Sequence, residues 1–303
     1  MSEVAGLQNL APILLALTSA TLFAVSVLVL HQGLRHADSE TGSLIQIAAT
    51  ALCYWLLAPW LVESWYWFTP AAALFAVVGL FKPFLSANAS LLSVHYLGPT
   101  PTSTLAATSP LFAAALGVFF LGENLTSPIV LGTMAIMAGS IMLAQQGGWG
   151  RRTAWPLWAL LLPLAAALIR TSGDVLTKFA MLDLPSPYFA GLGSFTVSLI
   201  IAMLVYGARR RALPKLGPAH GTGWFVLAGV INGISVYCLN TALKLGEVIV
   251  VIPLVSASPF LTLLLSVFLV RREIITRNSL LAVLVVVPGV IMITLSREGP
   301  VGR

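Results

Sequence analysis

Residues 110–142 read PLFAAALGVFFLGENLTSPIVLGTMAIMAGSIM, and residues 259–292 read PFLTLLLSVFLVRREIITRNSLLAVLVVVPGVIM. Each stretch holds two apolar runs joined by a short junction with a glutamate, Glu123 in one and Glu273 in the other. The echoes extend outward. Leu97-Gly98 returns as Leu245-Gly246, Ser109-Pro110-Leu111-Phe112 as Ser258-Pro259-Phe260-Leu261, and Gly139-Ser140-Ile141-Met142 as Gly289-Val290-Ile291-Met292. The offset stays between 148 and 150 residues. Apolar runs resemble one another by chance, but an ordered series with a proline and a glutamate at matching places reads as an internal repeat.

The runs are continuous rather than alternating, which excludes a β-barrel. A membrane-spanning helix needs about 20 mostly apolar residues. Ten segments meet that length: 10–31, 42–62, 70–94, 100–121, 127–145, 155–180, 187–206, 222–244, 248–270 and 278–295. Pro70, Pro128, Pro156 and Pro187 stand near helix starts, where a missing N–H costs little. The chain is 58% hydrophobic and 9% charged, against about 25% charged residues in a soluble domain. The expected fold is therefore an all-α membrane protein with ten transmembrane helices. They form two five-helix repeats, residues 1–148 and 149–303. An odd number of spans per repeat turns the second half upside down, the inverted arrangement of secondary transporters around a central cavity.

Net charge is +6, yet nucleic acid is not the implied partner. The basic residues cluster between apolar runs, as Arg151-Arg152, Arg209-Arg210-Arg211 and Arg271-Arg272. We call the membrane face holding both termini side A. Side A carries Lys244, Arg297 and Arg303; side B carries Arg35, Arg151, Arg152, Arg209, Arg210, Arg211, Lys215, Arg271, Arg272 and Arg277. The positive-inside rule makes side B cytoplasmic and both termini external. The N-terminus has no basic region ahead of its first run, so that run reads as a retained helix. Cys53 and Cys238 fall inside apolar runs and read as small buried hydrophobes. No cofactor, disulfide or metal site is implied.

The stretch from Pro110 to Met142, with its Gly122-Glu123 junction, resembles the fourth and fifth helices of EamA-type members of the drug/metabolite transporter superfamily. The second copy departs from the pattern. Arg271-Arg272-Glu273 replaces Gly-Glu, and one extra residue lies between Pro259 and Glu273. The resemblance implies a pseudo-two-fold bundle around a cavity, transport of a small molecule, and the bacterial inner membrane. It also implies cytoplasmic termini, against the charge count, which we prefer because it belongs to this chain.

Lys82 lies near the middle of the third span, too deep to snorkel easily. It should face a cavity or a partner, and the bland alternative is an interhelical salt bridge. Pro83 removes a helix hydrogen bond beside it and should bend the span. Lys82, Ser86, Ala89 and Ser93 share one helical face. In the sixth span Arg170, Asp174 and Lys178 are spaced by four, so Arg170 and Asp174 can pair within the helix while Lys178 snorkels from its end. In the sharper reading Arg170 binds a substrate anion and Asp174 exchanges a proton. Asn232, Tyr237 and Asn240 in the eighth span read equally as substrate donors or as interhelical hydrogen-bonding groups. Pro110 and Pro259 should bend the fourth and ninth spans at matching depths, with nearby hydroxyls satisfying the freed carbonyls. Glu123 and Glu273 should cap helices or pair with nearby arginine near the interface. Gly132, Ala135 and Gly139 form a small-residue seam on the fifth helix, which with the tenth reads as structural, at a homodimer contact. The tryptophans at 55, 60, 65 and 67, and at 149, 155 and 158, read as interfacial belts.

His31, His36, His95 and His220 are scattered at loops or span ends, and no catalytic motif is present. A channel is disfavoured for want of a charge ring. A non-transporting structural membrane protein leaves Lys82 unexplained. The favoured expectation is a secondary transporter, an exporter of amino acids or related amphiphilic metabolites, with proton coupling through Asp174. The alternative is an organic-anion exchanger in which Lys82 and Arg170 clamp a carboxylate or phosphate from one cavity.

Overall fold

A computed structural model describes residues 2–145, 157–210, 221–267 and 277–295. Glu273, Trp149, Trp155, Pro156 and the basic residues 151–152, 211, 215, 271–272, 297 and 303 lie outside the described residues. The first and second spans are α1 (Ser2–Gly33) and α2 (Ser39–Leu61). The third is broken into α3 (Pro70–Leu80) and α4 (Ser86–Leu97). The fourth is broken into α5 (Pro99–Ala106) and α6 (Ser109–Leu121), and the fifth is α7 (Ser127–Ala144). The second half holds α8 (Leu161–Asp183), α9 (Pro187–Arg210) and α10 (Thr222–Leu245). Its ninth span is broken into α11 (Val248–Ser256) and α12 (Ser258–Leu265), and its tenth is α13 (Arg277–Leu295). Nine of these spans are long and apolar enough to cross a membrane; in the tenth, Leu280–Leu295 is apolar but shorter.

The breaks have local causes. Pro110 and Pro259 each occupy the first turn of the helix after the break, where proline's missing N–H is no loss but an unbroken helix would clash with its ring. Hydroxyls satisfy the carbonyls left over. The Thr108 hydroxyl donates to Leu105 O at 2.7 Å. Ser109 and Ser256 Oγ lie 3.3 Å apart, joining the break in one half to the break in the other. At Lys82 the backbone leaves the helix altogether, with φ −133° and ψ 131°. Ser198 on α9 donates to Gly79 O at 2.7 Å and to Lys82 O at 3.1 Å, so a neighbouring helix supplies the donor that the broken span lacks.

The halves interlock instead of standing side by side. Span 1 packs on span 8 and span 6 on span 3; span 2 packs on span 8 and span 7 on span 3. Spans 4 and 9 contact each other, as do 5 and 10. Exchanging each span with its counterpart five later maps this set of contacts onto itself. That is the pseudo-two-fold relation the repeat demands.

The fifth and tenth spans are fastened by small residues. A Cβ on Gly132 would lie 2.6 Å from Gly289 O, and one on Gly139 would lie 2.3 Å from Val286 Cγ2. The seam expected at a homodimer contact is thus consumed inside one chain, because the inverted repeat brings α13 against α7. Gly139→Val should push these helices apart at a cost of about 1–3 kcal/mol, the usual penalty of overpacking. Reversible unfolding in bicelles will measure it, with Met134→Val, which faces outward at 52% exposure, as the near-neutral control.

On side A the bundle is densely filled. Every residue from Val248 to Val255 is buried, and Leu184, Phe189 and Leu243 are 2% exposed or less. Phe189 meets Trp67, Tyr66 and Phe75 edge-on at 4.9, 5.5 and 6.0 Å. Among the described residues, side B carries exposed ion pairs. Arg210 Nη2 lies 2.7 Å from Asp38 and Arg209 Nη1 3.1 Å from Glu40, all largely exposed, where such pairs contribute about 0–1 kcal/mol. Asp38 also caps α2, accepting the Thr41 N–H at 3.3 Å and the Thr41 hydroxyl at 2.9 Å. Partial burial pushes its carboxyl up, but the Thr41 bonds and Arg210 together hold it below the ordinary value.

Candidate functional site: a charged cavity at mid-membrane

A cavity of about 310 Å³ lies between the two halves, at the depth of the broken helices. Lys82, Pro83 and Ser86 reach it from the third span, Arg170 from α8, and Asn232 and Asn240 from α10. Much of the remaining wall is apolar: Phe23, Ile47, Val78, Val236, Leu239 and Val255. Through Ala106, Ser109 and Arg170 it adjoins a second cavity of about 570 Å³, on the side-B halves of the fourth, fifth and ninth spans. Hydroxyls from Ser103, Ser140, Ser256, Ser258 and Thr262 line that second space. Arg170 therefore stands at the neck between an apolar chamber and a hydroxyl-lined one.

The charges are not paired as the spacing within α8 predicts. Asp174, 4% exposed, is bonded to Lys82 Nζ from the third span. The helix break presents Lys82 towards α8, where its stem packs over Gly173, with Lys82 Cβ 3.5 Å from where a Cβ on that glycine would stand. A buried carboxylate takes the cation that reaches its depth, and Arg170, one turn away, stays in the cavity. Its guanidinium lies over the Phe23 ring, 5.6 Å from the centroid, a cation–π contact. Among the described residues Arg170 has no carboxylate partner.

Lys178 does not snorkel. Its Nζ donates to Glu123 Oε1 at 2.8 Å and to Gly246 O at 2.5 Å. Glu123, at the junction between α6 and α7, is buried at 8% exposure and pairs with lysine and not with arginine. It does cap a helix, that of the other half, accepting N–H bonds from Val248 and Ile249 at 2.8 and 2.9 Å.

Tyr237 is 44% exposed and lies outside the cavity wall, its ring 6.4 Å from Tyr188. Asn240 lines the cavity and donates to Pro187 O at 3.2 Å. Of the stripe drawn from Lys82, Ser86 stays on the cavity and donates to Pro83 O at 3.1 Å. Ser93 lies 2.8 Å from the Thr102 hydroxyl instead, and Ala87 and Ser90, not Ala89, join Ser86 on the wall. The wall also holds Phe23, Ser19, Gln46 and Ser194, residues that sequence reading passed over. Gln46 carried a usable signal as a carboxamide inside an apolar run; Phe23 carried none.

Residues 10–145 and 157–295 each match the EamA-like transporter family. A solved crystal structure superposes with a TM-score of 0.76, covering 95% of this chain and 97% of that one at 18% identity, and is one of 29 matching chains. At that identity the likeness speaks to the fold alone. No match was found among curated proteins.

Proposed function

Since the chain belongs to the EamA-like transporter family of the drug/metabolite transporter superfamily, it is a multi-pass membrane transporter, and we propose that its substrates are small amphiphilic monocarboxylates, amino acids among them. The observation that carries this is Arg170, a cation in the cavity with no carboxylate partner among the described residues. Lys82 and Asp174 cancel, so the cavity holds about one net positive charge. One carboxylate balances it. Arginine's fork binds carboxylates in two parallel hydrogen bonds, and Asn232 and Asn240 offer acceptors to an α-amine. The apolar wall takes the substrate's body.

Both Lys82 and Arg170 line the cavity, an arrangement that also suits an organic-anion exchanger. Charge counting weighs against phosphate esters. A dianion needs Lys82 as well as Arg170, and drawing Lys82 away leaves Asp174 buried and unpaired, at several kcal/mol. The same pair suits coupling: Asp174 exchanges Lys82 for a proton during alternating access. With side B cytoplasmic, the second cavity lies on the cytoplasmic half and the dense packing faces outward, as in the loading state of an exporter. On this reading the repeats, residues 1–148 and 149–303, rock about the cavity.

Thermal unfolding of the purified protein against a panel of ligands tests the substrate class. A ligand at about 100 times its Kd adds about 2.7 kcal/mol to folded-state stability. Amino acids and monocarboxylates should raise the unfolding temperature, and amines should not. Stabilisation by amines alone, or by phosphate esters in preference to carboxylates, would overturn the proposal.

A further inference from the structure

We propose that Glu123 and Lys178 form the side-A gate of the transport cycle, a latch that holds the two halves together whenever the cavity faces side B. The proposal rests on the alternating-access reading above but not on the identity of the substrate.

Glu123 belongs to the first half. Its position follows from Gly122, which ends α6 in the left-handed region at φ 66° and lets the chain turn back, so that Glu123 N–H reaches Gly117 O at 3.2 Å. The partners of its carboxylate all belong to the second half. Oε1 accepts from Lys178 Nζ on α8 and from Val248 N–H; Oε2 accepts from Ile249 N–H. Lys178 then ties Gly246 O, in the turn before α11, into the same knot. One carboxylate therefore fixes the ends of α6, α8, α10 and α11 at once, on the negatively preferring N-terminus of α11.

Two features make this a gate instead of general packing. First, the latch lies on the side-A flank of the cavity, on helices that line it: Thr177, next to Lys178 on α8, and Val255, six residues beyond Ile249 on α11, are both in the wall. Second, it is polar and detachable. A seam such as α7 against α13 loses its contacts when it separates. The latch instead exchanges them for water, because a carboxylate, an ammonium and helix-end N–H groups are all well hydrated once side A opens. Gly117 is shaped to hold it: a Cβ there would stand 2.8 Å from Glu123 Oε2 and 3.0 Å from Ile249 Cγ2.

Cysteine accessibility tests this without any substrate. In a Cys53→Ala, Cys238→Ala background, Val236→Cys in the cavity wall is the reporter. A membrane-impermeant thiol reagent is applied from side A of sealed vesicles, with side A identified by an accessible terminal tag. Glu123→Gln and Lys178→Met should each raise the labelling rate from side A by at least about tenfold, the effect of weakening a hydrogen-bonded charge pair. Gly117→Ala keeps both charges and displaces the carboxylate, and should act in the same direction. Ile136→Cys, fully buried in the α7–α13 region, should stay unlabelled in every variant. Unchanged side-A labelling in all three variants would overturn the gate. So would equal labelling of Ile136→Cys, since Glu123 and Lys178 would then hold the fold and not a gate. Neither result depends on carboxylates being the substrate, so the two proposals fail separately.

Discussion

Asp174→Asn should stop transport and also destabilise the protein. The substitution keeps the shape of the side chain and removes its charge, leaving Lys82 with an amide partner at mid-membrane. Removing one member of a buried pair costs about 3–5 kcal/mol. The lower end applies here, because the Lys82 side chain is 20% exposed to the cavity and cavity water hydrates it in part. Lys82→Met should do comparable damage from the other side, by stranding a carboxylate that is 5% exposed. The double variant Lys82→Met, Asp174→Leu is the informative one. Replacing both charges by apolar groups of similar size is often neutral or stabilising, so unfolding should return to near the wild-type value. Transport should not return, because the proton-exchanging carboxylate and its partner are both gone. If the double variant transports at the wild-type rate with the wild-type response to an imposed pH gradient, the pair is structural and the coupling proposal fails.

That pair shows where the sequence is legible and where it is not. The ten spans, the repeat and the three helix breaks at Pro83, Pro110 and Pro259 are local or periodic features. Length, apolar composition and proline chemistry act within one segment, so one segment suffices to read them. Partner choice is not local. On α8 the spacing of Arg170, Asp174 and Lys178 offers a pairing along the helix, worth about 0.2–0.5 kcal/mol on an isolated helix. Burial outweighs it. Asp174 bonds to Lys82, 92 positions away, and Lys178 to Glu123, 55 away. The partners become foreseeable once span 6 is known to pack on spans 3 and 4, and the repeat implies such interlocking without specifying which faces meet. The seam at Gly132 and Gly139 taught the same lesson: small residues announce close packing and leave the identity of the partner helix open. Tyr237 is the converse case. One turn separates it from Asn240 and Asn232 lies on the same helix, yet the helix turns it outward, since five residues of spacing do not keep Asn232 and Tyr237 on one face.

Arg170→Gln should separate binding from stability, the reverse of the Asp174 result. Arg170 has no carboxylate to strand among the described residues and sits in an open cavity, so its loss should leave unfolding within about 0.5 kcal/mol of wild type, as for other substitutions away from buried networks. Carboxylate affinity should fall much further. A hydrogen bond to a charged group contributes about 1.5–3 kcal/mol, which corresponds to about a 10- to 150-fold rise in Kd. Arg170→Lys should recover part of this, because lysine restores the charge without the planar fork that carboxylates prefer. The variant also distinguishes substrates within the proposed class. With Arg170 neutral, the cavity's net charge drops from about one positive to zero. A monocarboxylate then enters as an uncompensated anion, whereas a zwitterionic amino acid brings its own counter-charge. Monocarboxylates should therefore lose more affinity than amino acids in calorimetric titrations of the same preparation. Equal losses would mean that the α-amine makes no contact in the cavity. No loss for either would remove Arg170 from the binding site and, with it, the charge count on which the monocarboxylate assignment stands.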